Sequence, residues 1–463
     1  MVDDEEALSS PADWLRATAA RQVEACAAAF SRANLVSSVG RVTRVLGTLV
    51  EGTVPNASIG EQCDIYDRAS PHRSVRCEVI GFTESSTLLS PLTALEGVSS
   101  SYLIRPLRCS HVIAVGQHLL GRIVDGFGAA LDGRPLIAGD ADEVISRPVI
   151  SSAPSPGERP RIMDVFPTGV RCIDTLLTLG RGQRVGIFAG PGCGKTTLMA
   201  AIGRGAAVDV LVLGLIGERG REVREFTEHE LDPALLARTV IVCATSDRPA
   251  IERVRAAFTA TAIAEGLRDL GLNVMLMVDS LTRLARAQRE IGLAAGEVPA
   301  RAGFPPSVYA LLPRLIERAG NTSRGSVTAI YTLLLEGDIK SDPISEEAVS
   351  LLDGHIFLAR KLADQGHYPA VDVLPSISRI MSNIVDKSHL RAAAALRNVL
   401  TKYRDVELLI RLGEYRHGVD PETDRVVQIY PKVMEFLRQD TRQASAWSMG
   451  IDQLMTLGAA ATG

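Results

Sequence analysis

The chain is poor in residues that mark several classes of protein. Aromatic residues make up only 4% of it, without dense interleaving of aromatic and basic residues, which argues against a surface for single-stranded nucleic acid. Asp and Glu (54) outnumber Lys and Arg (50), so the net charge of −4 lacks the basic excess typical of nucleic-acid binders. We therefore expect no nucleic acid among the partners of this protein.

Cysteine pairs, a leader peptide and long apolar runs are also missing. The seven cysteines are scattered, none forms a C-x-x-C pair, and their odd number disfavours a disulfide framework or a zinc site. The N-terminus is acidic, which is the wrong charge for a secretory signal peptide. No apolar run approaches the roughly 18 residues of a membrane helix. These features indicate a soluble protein, which we expect in the cytoplasm.

What remains is a composition typical of a folded protein, with 46% hydrophobic and 22% charged residues over 463 positions. Residues 1–34 predict a helical segment, from about Ala12 to Phe30, that packs on its own chain or docks on another protein. Short strand-like stretches between turns at 35–108 predict a small β-barrel. We interpret residues 109–160 as a connecting segment that ends in a Pro- and Ser-rich linker.

Apolar runs alternate with helical stretches at 161–385, which predicts an α/β domain with a parallel sheet covered on both faces. One connecting helix is expected to be capped by Ser246 or Asp247, to carry Pro249 in its first turn and to end at Gly266. Residues 386–463 predict a helical C-terminal domain. The predicted strands are Val185–Ala189, Val210–Ile216, Val240–Ala244, Val274–Val278, Val327–Leu335 and His355–Ala359.

A glycine-rich turn lies between the predicted strand that ends at Ala189 and a predicted helix that begins at Lys195. This is the order of a P-loop, in which backbone N–H groups and a helix N-terminus bind phosphates. Ala189 takes the first position of the pattern, where Gly is usual, and is small enough for the turn. We predict that Lys195 reaches the β- and γ-phosphates of ATP and that Thr196 binds Mg²⁺. The predicted nucleotide-binding loop is Gly190, Pro191, Gly192, Cys193, Gly194, Lys195, Thr196 and Thr197.

Two other predicted strands end at carboxylates, which places them at the same edge of the sheet as the loop. We assign Asp279 to Mg²⁺, the alternative being a cap of the next turn. Glu218 is assigned to orient the attacking water, the alternative being a charged surface loop. Arg283 follows Asp279 by four residues and either contacts the γ-phosphate or is a solvated helix arginine.

These residues lie in segments that resemble the hexameric rotary-type ATPases. G-E-R-G-R-E-V at 217–223 is similar to the catalytic-glutamate motif of that superfamily, and D-S-L-T-R at 279–283 to its Mg²⁺ strand. G-H-Y-P-A-V-D at 366–372 and P-S-I-S-R at 375–379 are similar to its adenine-contact and arginine-finger segments. The type III secretion ATPases match best, over nearly the whole chain, and L-G-E-Y-R at 412–416 looks more like their injectisome branch than the flagellar one.

The resemblance implies a RecA-like P-loop ATPase core between the barrel and the C-terminal helices, with ATP and Mg²⁺ as cofactors. It implies that Glu218 is the general base or water positioner, and that Arg219 and Arg283 make lesser active-site contacts. It also implies that Tyr368 stacks on adenine and that Arg379 is an arginine finger for the ATP of a neighbouring subunit. From the sequence alone, Tyr368 could instead pack in its loop and Arg379 could form an ordinary salt bridge.

The implied function is ATP hydrolysis that energises type III protein secretion, with release of chaperones from effector proteins and unfolding of those effectors. The implied partners are further copies in a hexameric ring, a stator or regulator at the N-terminal segment, a central stalk protein, chaperone–effector complexes at the C-terminal domain, and the export gate. The implied location is the cytoplasmic face of the inner membrane. A subunit of a rotary proton-translocating ATP synthase, a hexameric RNA translocase and a nucleotide-gated scaffold are the alternatives.

Overall fold

The computed structural model describes residues 19, 22, 23, 38–46, 48–93, 95, 97–139, 143–335, 337 and 342–462. The helix predicted from Ala12 to Phe30 lies outside the described residues except at three positions, and its docking role stays a prediction. Within the described part of the chain, no helix is both long enough and apolar enough to cross a membrane.

The predicted β-barrel is confirmed. Six antiparallel strands close in the order β1-β2-β5-β4-β3-β6, and alternate residues point inward to a separate hydrophobic core that includes Val50, Ile65 and Leu89. The barrel strands are β1 (Gly40–Leu46), β2 (Leu49–Thr53), β3 (Glu61–Asp67), β4 (Ser70–Phe82), β5 (Thr87–Pro91) and β6 (Leu103–Ser110).

The predicted parallel sheet is also confirmed, and its order is β19-β18-β12-β17-β15-β13-β14-β8. The strands from β18 to β8 run parallel, whereas β19 and the short β16 are antiparallel additions. The remaining strands are β7 (Val112–Val115), β8 (Arg122–Val124), β9 (Ile145–Pro148), β10 (Val165–Phe166), β11 (Leu179–Gly180), β12 (Arg184–Ala189), β13 (Val210–Ile216), β14 (Thr239–Ala244), β15 (Asn273–Asp279), β16 (Gly320–Asn321), β17 (Ser326–Leu334), β18 (Gly354–Leu358) and β19 (Val371–Ser378).

Helices cover both faces of this sheet, and the strands divide their side chains between two cores. Val212 of β13 belongs to the core around α5, while its neighbours Leu211 and Leu213 belong to the core around α2 and the C-terminal helices. The helices are α1 (Arg171–Leu176), α2 (Lys195–Gly205), α3 (Gly220–Glu225), α4 (Pro233–Ala237), α5 (Ala250–Asp269), α6 (Leu281–Ala294), α7 (Pro306–Ile316), α8 (Pro343–Leu351), α9 (Arg360–Asp364), α10 (Met381–Ile384), α11 (Lys387–Leu412), α12 (Pro421–Leu437) and α13 (Trp447–Thr462).

The segment between the barrel and the phosphate loop contributes to the core. Its strand β8 pairs with β14 at the edge of the main sheet, and β7 pairs with β9 in a two-stranded sheet against α5. Arg147 of β9 forms an ion pair with Glu265 of α5, so this segment is tied to the helix by charge as well as by packing. The division of the chain into five domains stays a prediction.

The predicted ends of α5 are wrong. Neither Ser246 nor Asp247 caps it, because Pro249 occupies the N-cap position and no side chain caps the helix there. Gly266 lies inside the helix. A Cβ at Gly266 would lie 2.8 Å from Cβ of Val115 in β7. The glycine therefore permits close packing of β7 on the helix and does not terminate it.

The close contact between Gly266 and Val115 predicts whether a larger side chain at position 266 stabilises or destabilises the protein. Helix propensity alone would make Gly266→Ala stabilising by about 1 kcal/mol. Overpacking against Val115 costs typically about 1–3 kcal/mol, so we expect a lower melting temperature, measured by calorimetry. The matched control is Gly157→Ala, where a Cβ meets nothing within 4 Å and little change is expected. A melting temperature raised by Gly266→Ala would contradict the packing argument.

Candidate active site

The phosphate loop, residues 190–194, connects the end of β12 to the start of α2. Gly192 and Gly194 have φ angles of 77° and 81°, a left-handed conformation that costs glycine little and other residues more. Ala189 is the last residue of β12 and pairs in register with Leu334 and Leu358. Because Ala189 is still extended strand, the position accepts alanine without strain.

The N-terminus of α2 is open to an anion. Gly194 occupies the N-cap position and has no side chain with which to cap the first N–H groups of the helix. Those groups, together with the positive end of the helix dipole, provide a site for phosphate oxygens. The loop and helix thus have the geometry that the sequence predicts.

Lys195 lies between the two carboxylates that the sequence assigns to the site. Its Nζ forms an ion pair with Oδ1 of Asp279 and lies 3.7 Å from Oε1 of Glu218. Thr332 of β17 donates a hydrogen bond of 2.6 Å to the same Oδ1 of Asp279. All three charged side chains are almost fully shielded from solvent, with 11%, 5% and 10% exposure for Lys195, Asp279 and Glu218.

Arg283 holds the other oxygen of Glu218. Its guanidinium forms an ion pair with Oε2 of Glu218 and donates a hydrogen bond of 2.9 Å to the carbonyl of Gly217. Ser280 caps α6 by accepting a hydrogen bond from the N–H of Arg283, which fixes the first turn of that helix. In this structure Arg283 therefore positions Glu218.

Burial raises the pKa of Glu218 to about 7. This value also includes the smaller upward effects of a hydrogen bond to Glu222 and of the charge of Asp279, which the cations Lys195 and Arg283 oppose. The same shared hydrogen bond lowers the pKa of Glu222. A carboxyl group that changes its charge near neutral pH is suited to proton transfer and to orienting water.

The residues predicted for Mg²⁺ fit that ion. Thr196 and Asp279 line one cleft, and their hydroxyl and carboxylate oxygens are the hard donors that Mg²⁺ prefers. The described residues contain no group of three or more His, Cys, Asp or Glu side chains placed to hold a metal. This agrees with an ion that takes its other ligands from phosphates and water.

Tyr368 lies against the phosphate loop. A Cβ at Gly194 would lie 3.3 Å from Cε1 of the Tyr368 ring, so the ring packs over the start of α2. The side chain is 38% exposed, which leaves part of the ring uncovered. The structure thus brings Tyr368 to the loop, and its stacking on adenine stays a prediction.

The phosphate loop lies where the parallel strands end, whereas Arg379 lies at the opposite end of the sheet, where those strands begin. Ser378 pairs with Gly354, which is level with Val185 at the start of β12, whereas the loop follows Ala189 at its end. Val185 and Ala189 are four residues apart, and at about 3.3 Å per residue the two ends of the strand are separated by about 13 Å. The exposed Arg379 side chain donates to the carbonyl of Val349, so it does not reach its own loop.

Arg219, like Arg379, forms none of the contacts within the cluster around Lys195 in this structure. It is 79% exposed and forms an ion pair of 3.0 Å with Glu222 on the first turn of α3. Its role as an active-site contact stays a prediction.

Sequence reasoning missed Thr332 and the role of Glu222. Thr332 is a hydroxyl residue within the apolar run of β17. A polar residue in such a run, next to the strand that ends at Asp279, is a signal that could have identified it. Glu222 follows Glu218 by four residues, but only the fold shows that the two carboxyl groups share a hydrogen bond.

Two segments of the chain match known protein families. Residues 169–378 match the ATP synthase alpha/beta family, nucleotide-binding domain. Residues 385–456 match the T3SS EscN ATPase C-terminal domain.

Relatives of this chain extend over most of its length. It is 54% identical to the type 3 secretion system ATPase of Pseudomonas savastanoi pv. phaseolicola, over 90% of this chain and 93% of that protein. It is 46% identical to the flagellum-specific ATP synthase of Bacillus subtilis, over 90% and 94%. The solved structure of the assembled ATPase EscN from enteropathogenic E. coli aligns with a TM-score of 0.84 and 45% identity, covering 90% of this chain and all of that one.

The raised pKa of Glu218 predicts a pH dependence. Only the ionised carboxylate can accept a proton from water, and this form is lost as the pH falls through about 7. We expect kcat/KM for MgATP to fall about tenfold per pH unit below that value and to level off above it. Glu222→Ala should move this acidic limb to lower pH, because it removes a hydrogen bond that raises the pKa. A pH-independent rate across the neutral range would contradict the role of Glu218.

Proposed function

Since this chain belongs to the family of type III secretion system ATPases, we propose that its site hydrolyses MgATP between two copies of the chain. The protein is an ATP hydrolase of a protein-secretion system, in agreement with its relatives and with the ATP synthase alpha/beta family match. The observation that carries the site assignment is the cluster of Lys195, Asp279 and Glu218 beside the phosphate loop.

In the proposed reaction the loop N–H groups and Lys195 bind the triphosphate, and Lys195 exchanges its ion pair with Asp279 for phosphate oxygens. Thr196 and Asp279 would hold Mg²⁺, which when bound neutralises charge on the phosphates. Glu218, held by Arg283, accepts a hydrogen bond from the attacking water and orients it toward the γ-phosphate. Tyr368 stacks on adenine above Gly194.

We propose that Arg379 completes the site of a neighbouring copy. Its distance from its own loop supports action across an interface, and a head-to-tail contact between identical chains can close into a ring. The relative EscN was solved as an assembled ATPase, which supports an oligomer here, and we propose that the oligomer is a hexamer. A finger supplied in this way stabilises negative charge on the transferring phosphoryl group.

Two inactive variants test this arrangement. Lys195→Ala removes the phosphate ligand and Arg379→Ala removes the finger, so each alone should lose roughly 10³-fold or more in kcat. Rings mixed from equal amounts of the two contain interfaces with an intact loop on one chain and an intact finger on the other. We expect such mixtures to recover up to about a quarter of wild-type turnover if assembly is random. Mixtures as inactive as the single variants would contradict a finger in trans.

We further propose that hydrolysis releases chaperones from effector proteins and unfolds the effectors for export. The C-terminal domain, residues 386–463, is the proposed chaperone-facing part, and the N-terminal segment is the proposed contact for a stator or regulator. A central stalk is a proposed partner because the relative EscN was solved in complex with its central stalk EscO. The ring would work at the export gate, on the cytoplasmic face of the inner membrane.

A release assay tests the proposed work of the enzyme. Chaperone–effector complexes from the same secretion system are incubated with the purified ring, and free chaperone is measured over time. We expect release with MgATP and none with a non-hydrolysable analogue or with Lys195→Ala. Equal release by Lys195→Ala would show that binding, without hydrolysis, is sufficient and would contradict the proposal.

A further inference from the structure

The segment between α12 and α13, residues 438–446, contacts several parts of the proposed nucleotide site, and we call it the strap. Arg204, in the last turn of α2, donates a hydrogen bond of 2.8 Å to the carbonyl of Thr441. Arg171, at the start of α1, donates one of 2.6 Å to the carbonyl of Arg438. The strap is therefore bound to α2, the helix that follows the phosphate loop, and to the first residue of α1.

Gln439 of the strap uses both ends of its side-chain amide. Its Oε1 accepts a hydrogen bond of 2.7 Å from the N–H of Arg171. Its Nε2 donates to the carbonyls of Gly169, at 2.8 Å, and Gln443, at 2.7 Å. Only a primary amide supplies an acceptor and two donors at one side-chain end. Glutamate would keep the acceptor and lose both donors.

The turn at Gly169, to which the side chain of Gln439 is hydrogen-bonded, is itself held in place by other contacts. A Cβ at Gly169 would lie 2.7 Å from Cα of Gly205, so the turn and the end of α2 touch backbone to backbone. The carboxylate of Asp174 accepts hydrogen bonds from the N–H groups of Thr168 and Gly169. The amide of Gln439 is thus anchored to a turn that packs against the C-terminal end of the phosphate-binding helix.

The backbone of Gln439 reaches the proposed adenine contact. Its N–H donates a hydrogen bond of 2.9 Å to the carbonyl of Tyr368, whose ring packs over Gly194. A short series of contacts therefore runs from Gly169 through Gln439 to Tyr368. The strap has further bonds through Arg171, Arg204 and Ser445, but the side chain of Gln439 is the anchor on the same residue that holds the Tyr368 carbonyl.

We propose that Gln439 is a positioning residue that sets Tyr368 against the adenine base and so makes affinity depend on the base. It acts through Tyr368 and contacts no residue of the phosphate loop in the hydrogen bonds described above. This inference rests on the proposed stacking of Tyr368. If it is correct, loss of the Gln439 side chain should weaken the binding of ligands that carry a base and leave the binding of base-free polyphosphate unaffected.

The test compares two probes on the full chain, MgADP and magnesium tripolyphosphate, by titration calorimetry. We expect Gln439→Leu to weaken MgADP roughly 5- to 20-fold, as expected for lost hydrogen bonds, and tripolyphosphate by no more than about twofold. The control is Gln443→Leu, because within the described residues the exposed Gln443 side chain makes no hydrogen bond. If Gln439→Leu does not fold, Gln439→Glu is measured instead, with the same expectation.

Tyr368→Ala separates this inference from the proposed function. If Tyr368→Ala weakens MgADP selectively, we expect the double variant with Gln439→Leu to be no weaker than Tyr368→Ala alone. Equal weakening of both probes by Gln439→Leu, no weakening, or additive losses in the double variant would overturn the role of Gln439. If Tyr368→Ala itself leaves the ratio of the two affinities unchanged, the proposed adenine stacking fails first.

Discussion

The ammonium group of Lys195 is the charge around which the site is organised. It follows the phosphate loop and meets Asp279 at the end of β15 and Glu218 just after β13, both shielded from water. Two carboxylates at this depth would repel each other without a cation between them. In the proposed reaction, nucleotide binding moves this cation toward phosphate. In that reaction, one side chain therefore links phosphate binding by the loop to the charge environment of Glu218.

The parallel sheet makes this arrangement possible. Carboxyl ends of parallel strands share one edge, so residues distant in sequence meet there without long loops. The same geometry separates Arg379 from its own loop, because β19 runs antiparallel and ends at the opposite edge. A chain folded in this way carries a phosphate loop at one edge and an exposed arginine at the other. Head-to-tail association of identical chains would unite the two.

Much of this could be predicted from the sequence, for physical reasons. Strands such as Val210–Ile216 are buried on both faces and read as continuous apolar runs, so each predicted strand lies within one residue of the observed one. The convergence of Lys195, Asp279 and Glu218 followed from strand ends alone. Gly266 was misinterpreted because the local pattern cannot show that β7 packs against it. Gln439 was not identified because its partners lie about 70 and 270 residues away in sequence.

In the proposed ring, one chain carries only part of each active site. The most direct measurement is a cryo-EM structure of the assembled protein with Mg²⁺, ADP and a phosphate transition-state analogue. We predict that the Arg379 guanidinium of one copy lies within hydrogen-bonding distance of the analogue held by Lys195 of the next. Occupied sites in which every Arg379 remains bonded to the Val349 carbonyl of its own chain would contradict it.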